Sequence, residues 1–335
     1  MSAAAASSHP GQVLLGSQAG AAMLPVCDHY SGVEARMRKS LALQAEITAE
    51  FGACVFDVTL DCEDGAPVGG EAEHAALVTE LAIGAAPGMR VGARVHPVDH
   101  PAFAGDVMTI AGRAGDRLSH LMVPKVESIQ DVITAAEALD NVGAESLPLH
   151  VLIESPLAVH HAFDIAAHPR VQSLSFGLMD FVSAHAGAIP ADGMAAAGQF
   201  THPLVVRAKL AIASAAHAHG KVPSHCVVTE FNDLDALRQA ARRASGEFGY
   251  TRMWSIHPNQ IRPIVEAFAP DESQVGKAAD ILLAASAAQW APISLHGSLH
   301  DRASYRHFWQ VLIRAHATGR ALPPEVQHWF APKGP

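Results

Sequence analysis

Residues 149–156 read Leu-His-Val-Leu-Ile-Glu-Ser-Pro. Leu149–Glu154 is a short apolar run of strand type that ends on an acid. Ser155 is a helix-capping residue, and Pro156 suits the first helical position, where a missing N–H costs nothing. The unit of strand, polar end and helix start recurs along the chain. The strand candidates are Ala22–Cys27, Cys54–Asp61, Arg90–His96, His120–Lys125, Leu149–Glu154, Val171–Phe176, Val222–Val228 and Met253–His257. An amphipathic stretch separates each pair. Eight alternations predict a closed parallel TIM (β/α)8 barrel spanning residues 21–270.

The helices follow from the same pattern. They are expected at Val33–Phe51, Gly70–Ile83, Ala102–Gly112, from Ser128 to Leu139, from Pro156, at His202–His219, Leu234–Ser245 and Pro258–Ala267. Beyond the eighth unit, residues 271–335 are expected to form a C-terminal helical extension or lid. It has a helix at Asp271–Trp290, a loop from Ala291, and a polar helix from Ala303 to Thr318. Residues 1–20 are rich in Ala, Ser and Gly and lack a basic start with an apolar run, so a flexible tail is expected rather than a signal peptide.

Composition narrows the function. The chain has 335 residues, 49% of them hydrophobic, which allows a large core. No apolar run approaches the roughly 18 residues of a membrane span. The net charge of −10 argues against a nucleic-acid partner and requires local cations to hold an anionic substrate. The four cysteines share no C-x-x-C spacing and read as reduced thiols of a cytoplasmic protein. Cys62 stands among acids, which raise a thiol pKa and make it a poor nucleophile. Most of the 21 histidines have no chemical pattern; His96, His185, His225 and His257 are the ones at strand ends or mouth loops. No dinucleotide, P-loop or serine-hydrolase motif is present.

In a barrel of this type, polar residues at the C-terminal strand ends build the active site. Glu154 and Asp180 follow neighbouring strands, about 4.8 Å apart in such a sheet, so both carboxylates can reach one cation. Few, hard oxygen ligands suit Mg²⁺, which keeps waters and completes its shell with substrate oxygens. The bland alternative is a pair of structural carboxylates held by Arg or Lys. Arg94 suits a bidentate carboxylate, or an ion pair with Asp61, Glu63 or Asp64; both roles are compatible if the acids orient it. Lys125 sits in so acidic a setting that its pKa should rise, which makes it an ion-pair organiser near the substrate and not a Schiff-base nucleophile. His257 and Pro258 close the eighth strand end, where Pro258 is a candidate substrate contact.

Six strings together resemble the HpcH/HpaI aldolase and citrate lyase β-subunit family. They are V-F-D-V-T-L-D-C-E-D-G-A-P (55–67), A-R-V-H-P (93–97), M-V-P-K-V-E-S (122–128), L-I-E-S-P-L-A-V (152–159), S-F-G-L-M-D-F (175–181) and W-S-I-H-P-N-Q-I (254–261). The resemblance implies a TIM barrel, Mg²⁺ as cofactor, and making or breaking of a carbon–carbon bond beside a carbonyl. It implies Glu154 and Asp180 as metal ligands and Arg94 as the carboxylate-binding arginine. It also implies Glu63 and Asp64 as the acidic second-strand motif near the metal waters. G-S-L-H-D-R (297–302) resembles the lid motif of the malyl-CoA lyase branch, which makes Asp301 a proton-transfer candidate; capping of the following helix is the alternative. Asp64 stands where the pyruvate-type aldolases carry a histidine base. The first-strand string R-S-x-L-x-x-P-G of the thioester branch is not found, and His96 follows Arg94-Val95 where Asn is usual. The implied reaction is Mg²⁺-dependent cleavage of a 2-hydroxy acid acyl thioester, such as a CoA thioester, to a 2-oxo acid and a smaller thioester. A CoA-independent 2-oxo acid aldolase and a silent acid-binding barrel are the alternatives. The expected assembly is a homo-oligomer, a trimer or hexamer.

Overall fold

In the computed structural model, which describes residues 9–16, 23–295 and 297–331, eight strands close into a parallel barrel in sequence order. They are β1 (Cys27–Ser31), β2 (Phe56–Asp61), β3 (Val91–Arg94), β4 (His120–Val123), β5 (Leu149–Ile153), β6 (Val171–Phe176), β7 (Val222–His225) and β8 (Arg252–Ser255). β8 closes the ring on β1 through Cys27–Met253 and Asp28–Trp254. The strands are almost wholly buried because helices cover the outer face. Among the described residues no helix is long and apolar enough to cross a membrane.

The chain divides into two compact units. One consists of Pro25–Glu50 and Cys54–Phe268 and contains the barrel. The other gathers Met1–Leu24, Phe51–Ala53 and Ala269–Pro335. Within this second unit, helices Glu272–Ala287 and Arg302–Ala317 share a core that includes Leu282, Tyr305, Trp309 and Trp329. The segment after Ala291, expected as a loop, contains a two-stranded hairpin, β9 (Ile293–Leu295) and β10 (Ser298–His300); His296 lies outside the described residues. The N-terminal tail, expected to be flexible, contains a short helix at Pro10–Leu15 with Leu14 in the same core. Residues 1–8 and 17–20 of that tail lie outside the described residues.

The first strand departs from the sequence reading. It lies at Cys27–Ser31 and not at Ala22–Cys27. Its run, Cys-Asp-His-Tyr-Ser, looks too polar for a buried strand. The barrel interior explains it: Asp28 is fully buried and pairs with Arg252 of β8 at 2.9 Å, and Arg252 also pairs with Asp57 of β2 at 2.7 Å. Thr59 donates to Asp28 at 2.7 Å, and the His120 and His150 rings stack with centroids 3.9 Å apart. A lumen filled by paired charges lets polar residues occupy inward positions that apolar patterning assigns to loops. Above this layer Tyr30, Met122, Leu152 and Trp254 form an apolar cluster.

Two helices also differ in detail. The helix expected from Ala102 runs as Phe103–Asp106, a π-helical turn Val107–Ala111, and Gly112–Ala114. The helix from Pro156 is capped by Ser155 as read, but breaks at His161 and resumes at Ala162–Ala167.

Candidate active site

A cavity of about 350 Å³ opens at the C-terminal ends of the strands. Its polar wall includes Arg36, Asp61, Asp64, Arg94, Glu154 and Asp180. Its apolar wall includes Tyr30, Leu152, Val227 and Trp254. Tyr30 stacks on Trp254 with centroids 4.2 Å apart, and its hydroxyl points to Asp28 at 3.4 Å.

Arg94 is fixed from three directions. Its Nε donates to Asp61 Oδ1 at 2.6 Å, one terminal nitrogen to Asp61 Oδ2 at 2.5 Å, and the other lies 3.0 Å from Glu63 Oε2. Burial alone would lower its pKa, but Asp61 and then Glu63 outweigh burial and hold it above the ordinary arginine value. A guanidinium has five N–H groups, so these three contacts leave two for a substrate carboxylate. The Asp61–Gly65 turn makes the clamp. Asp61 also accepts the backbone N–H groups of Glu63 and Gly65, each at 2.9 Å. A Cβ on Gly65 would lie 2.2 Å from Asp61 Oδ2, so this turn needs glycine.

Glu63 is buried and fully engaged, bonding Lys125 Nζ through Oε1 and the Asp64 N–H through Oε2. It positions Arg94 and Lys125 and does not line the cavity. Asp64 does line it, with an exposed carboxylate 3.4 Å from Lys125 Nζ. Lys125 is not among the residues that line the cavity. Its charge is spent on the two acids, which outweigh partial burial and raise its pKa, so it stays protonated. Its backbone does reach the site. Lys125 has φ 51°, in the left-handed region, and directs its N–H to Glu154 Oε1 at 2.5 Å. Such strain in a non-glycine residue concentrates at functional sites.

Glu154 follows β5 directly, whereas Asp180 is not at the end of β6. It lies in the first turn of helix Leu178–Ser183, four residues beyond Phe176. Glu154 is buried, and burial followed by the charge of Asp180 raises its pKa to about 8. Among the described residues neither carboxylate forms an ion pair with Arg, Lys or His. Gly177 lets the backbone pass against Glu154, since a Cβ there would be 2.3 Å from Oε2. Two adjacent acids without a cationic partner, one of them hard to ionise, form a donor set that fits a divalent ion with oxygen preference.

A second grouping of potential ligands, Asp28, His120 and His150, lies in the lumen. It fits a metal poorly. Thr59 and Arg252 already occupy Asp28, and Arg252 places a positive charge beside any incoming cation. Burial lowers the His120 pKa to about 3, so the ring is neutral. Thr59 Oγ1 spends its proton on Asp28, so His120 Nε2, 3.0 Å away, must donate to it and is not a free ligand.

Other sequence candidates lie elsewhere. Pro258 opens helix Pro258–Phe268 and lines a neighbouring depression with His257 and Asn259, not the main cavity. His96 turns aside to Asp106, with Nδ1 2.6 Å from Oδ2. His225 is buried against Lys209. Cys62 is buried, and burial then Asp106 and Asp61 push its thiol well up. Asp301 belongs to the other unit and caps helix Arg302–Ala317, accepting from the Ala303 N–H at 2.9 Å and the Ser304 N–H at 3.2 Å. Sequence reading missed Tyr30 and Trp254. The alternation of Asp28 and Tyr30 with Cys27 and His29 was the available signal for Tyr30.

The sequence model of the HpcH/HpaI aldolase/citrate lyase family matches residues 42–258. The L-malyl-CoA/beta-methylmalyl-CoA lyase of Cereibacter sphaeroides is 32% identical over 248 residues, covering 69% of this chain and 77% of that enzyme. Among solved structures, a citrate lyase of Burkholderia xenovorans LB400 is 48% identical with a TM-score of 0.81, covering 97% of this chain and 100% of that one. CitE of Mycobacterium tuberculosis, solved with magnesium, acetoacetate and coenzyme A, is 22% identical with a TM-score of 0.66, covering 88% and 98%; that likeness is one of fold.

Proposed function

This chain belongs to the HpcH/HpaI aldolase/citrate lyase family, and from that premise we propose that it is a Mg²⁺-dependent carbon–carbon lyase acting on a 2-hydroxy acid acyl thioester. The carrying observation is the pairing, in one cavity, of a restrained arginine with two free N–H groups and two carboxylates without a cation. That set grips an anionic 2-hydroxy acid at its carboxylate and holds a divalent ion beside it. The Cereibacter relative, a malyl-CoA lyase by name, supports the thioester.

Glu154 and Asp180 would hold the ion, which when bound supplies Lewis acidity to the substrate's carboxylate and hydroxyl oxygens. Arg94 binds the carboxylate and fixes the orientation of the C2–C3 bond. In the cleavage direction the hydroxyl proton leaves and C2–O becomes a carbonyl. The C2–C3 electron pair moves to C3, giving a thioester enolate that is then protonated. Tyr30, Leu152, Val227 and Trp254 form the wall that shields this carbanion equivalent from water. Asp64, exposed on the cavity wall, is the acid within this site available for proton exchange, because Glu63 is committed to Arg94 and Lys125. Asp301, whose Oδ2 takes no part in the cap, remains a candidate lid acid.

The test is to incubate the protein and Mg²⁺ with malyl-CoA and follow 2-oxo acid release as its phenylhydrazone. Release that requires Mg²⁺ and is lost in Glu154→Gln is expected. Hydrolysis of the thioester with the carbon skeleton intact, or release insensitive to the metal, would overturn the reading.

A further inference from the structure

Among the described residues, Lys125, Ala186, Gln289 and Trp290 are the non-glycine residues with positive φ. Of these, Lys125 is the one bonded to a cavity acid. A left-handed backbone is costly for a residue with a Cβ, so contacts beyond the turn must hold it there. Lys125 follows β4. Its side chain reaches back past β3 to the turn after β2, where Nζ bonds Glu63 Oε1 and lies 3.4 Å from Asp64 Oδ2. Its N–H reaches the other way, to Glu154 Oε1 after β5, at 2.5 Å. Glu63, the anchor of this tether, is buried and lies 3.0 Å from Arg94. The charge on Lys125 has the wrong sign for a site that takes a divalent cation, since it repels the ion. Its electrostatics work against the metal, and its geometry works for it. The N–H holds Oε1 of Glu154, while no hydrogen bond among the described residues reaches Oε2.

We propose that Lys125 is a positioning residue for the metal ligand Glu154: its side chain, tethered to Glu63 and Asp64, holds the left-handed turn that aims its backbone N–H at Glu154 Oε1. This rests on the reading of Glu154 as a ligand of the ion. The N–H restrains the carboxyl group and leaves Oε2 for the ion, the usual service of an outer-shell donor. The tether also joins the two halves of the site. Glu63 bonds both Arg94 and Lys125, so the arginine clamp and the metal ligand hang on one buried acid.

Calorimetric titration of Mg²⁺ into chelator-treated protein tests this without turnover. The charge and the position of Lys125 predict opposite signs. Removing a cation near the ion should tighten Mg²⁺ binding, whereas removing the tether should loosen it. Lys125→Met should therefore raise the Mg²⁺ Kd by about tenfold or more, as loss of an outer-shell partner does. Lys125→Gly should bind Mg²⁺ more tightly than Lys125→Met, because glycine adopts this φ at no steric cost. A merely structural role gives the reverse order, since glycine removes more contacts. The side chain is 38% exposed, so both variants are expected to fold. A Kd for Lys125→Met at or below the parent value overturns the inference, as does a Kd for Lys125→Gly at or above that of Lys125→Met. If Glu154→Gln binds Mg²⁺ as tightly as the parent, it is the metal-site reading that fails.

Discussion

In chelator-treated protein, raising the pH from 5 to 9 should cost stability, and Glu154 is the reason. Its pKa is raised from 4.5 to about 8 by burial and by Asp180. The folded state thus holds this proton more tightly than the unfolded chain. Stability contributed by the protonated carboxyl is fully present below about 4.5 and is lost as pH rises toward the folded value. With each pKa unit worth about 1.4 kcal/mol, the penalty is about 1 kcal/mol at pH 5, about 3 at pH 7 and about 5 at pH 9. Glu154→Gln keeps an acceptor for the Lys125 N–H and removes the charge, so its stability should lack this slope. Saturating Mg²⁺ should flatten the wild-type curve as well, because the ion offsets both carboxylates. Urea unfolding at each pH, with chelator and with Mg²⁺, measures the effect. Parallel pH curves for wild type and Glu154→Gln in chelator would show that the two acids are not the uncompensated pair described here.

Arg94→Lys should lower kcat/KM by about tenfold to a hundredfold, since a point charge replaces a restrained fork; steady-state kinetics near the parent value would mean that the carboxylate binds elsewhere. Gly177→Ala forces Glu154 aside at 2.3 Å, and an overpacking cost of about 1–3 kcal/mol should appear as weaker Mg²⁺ binding by calorimetry, whereas parental affinity would place the ion away from Glu154. Arg252→Met leaves Asp28 and Asp57 buried without their cation and should cost about 3–5 kcal/mol in urea unfolding at pH 7; a loss below about 1 kcal/mol would refute the paired lumen. Asp301→Asn preserves the helix cap, so its melting temperature should hold while turnover falls by about a hundredfold or more; a parental rate leaves Asp301 as a cap alone.

The order of elements was legible because apolar runs and helical periodicity survive in the sequence wherever a strand faces only helices. β5 and β6 begin where the apolar pattern puts them, and the acids next to them, Glu154 and Asp180, could be singled out as polar residues adjoining buried runs. Arg94 was legible for the same reason. β1 was not, since Asp28 and Tyr30 face a lumen whose charges are neutralised by Arg252, a partner 224 residues away in the chain. Nothing local to Asp28 records that partner. The division of labour among the acids was equally hidden. Asp61, Glu63 and Asp64 are near neighbours in sequence, yet one clamps Arg94, one bridges Arg94 to Lys125, and one faces the cavity. Sequence fixes which groups a strand end offers, because side-chain alternation is a local property of the backbone. Which of them remain unpaired, and so free to take a ligand, depends on distances between strands that only barrel closure sets.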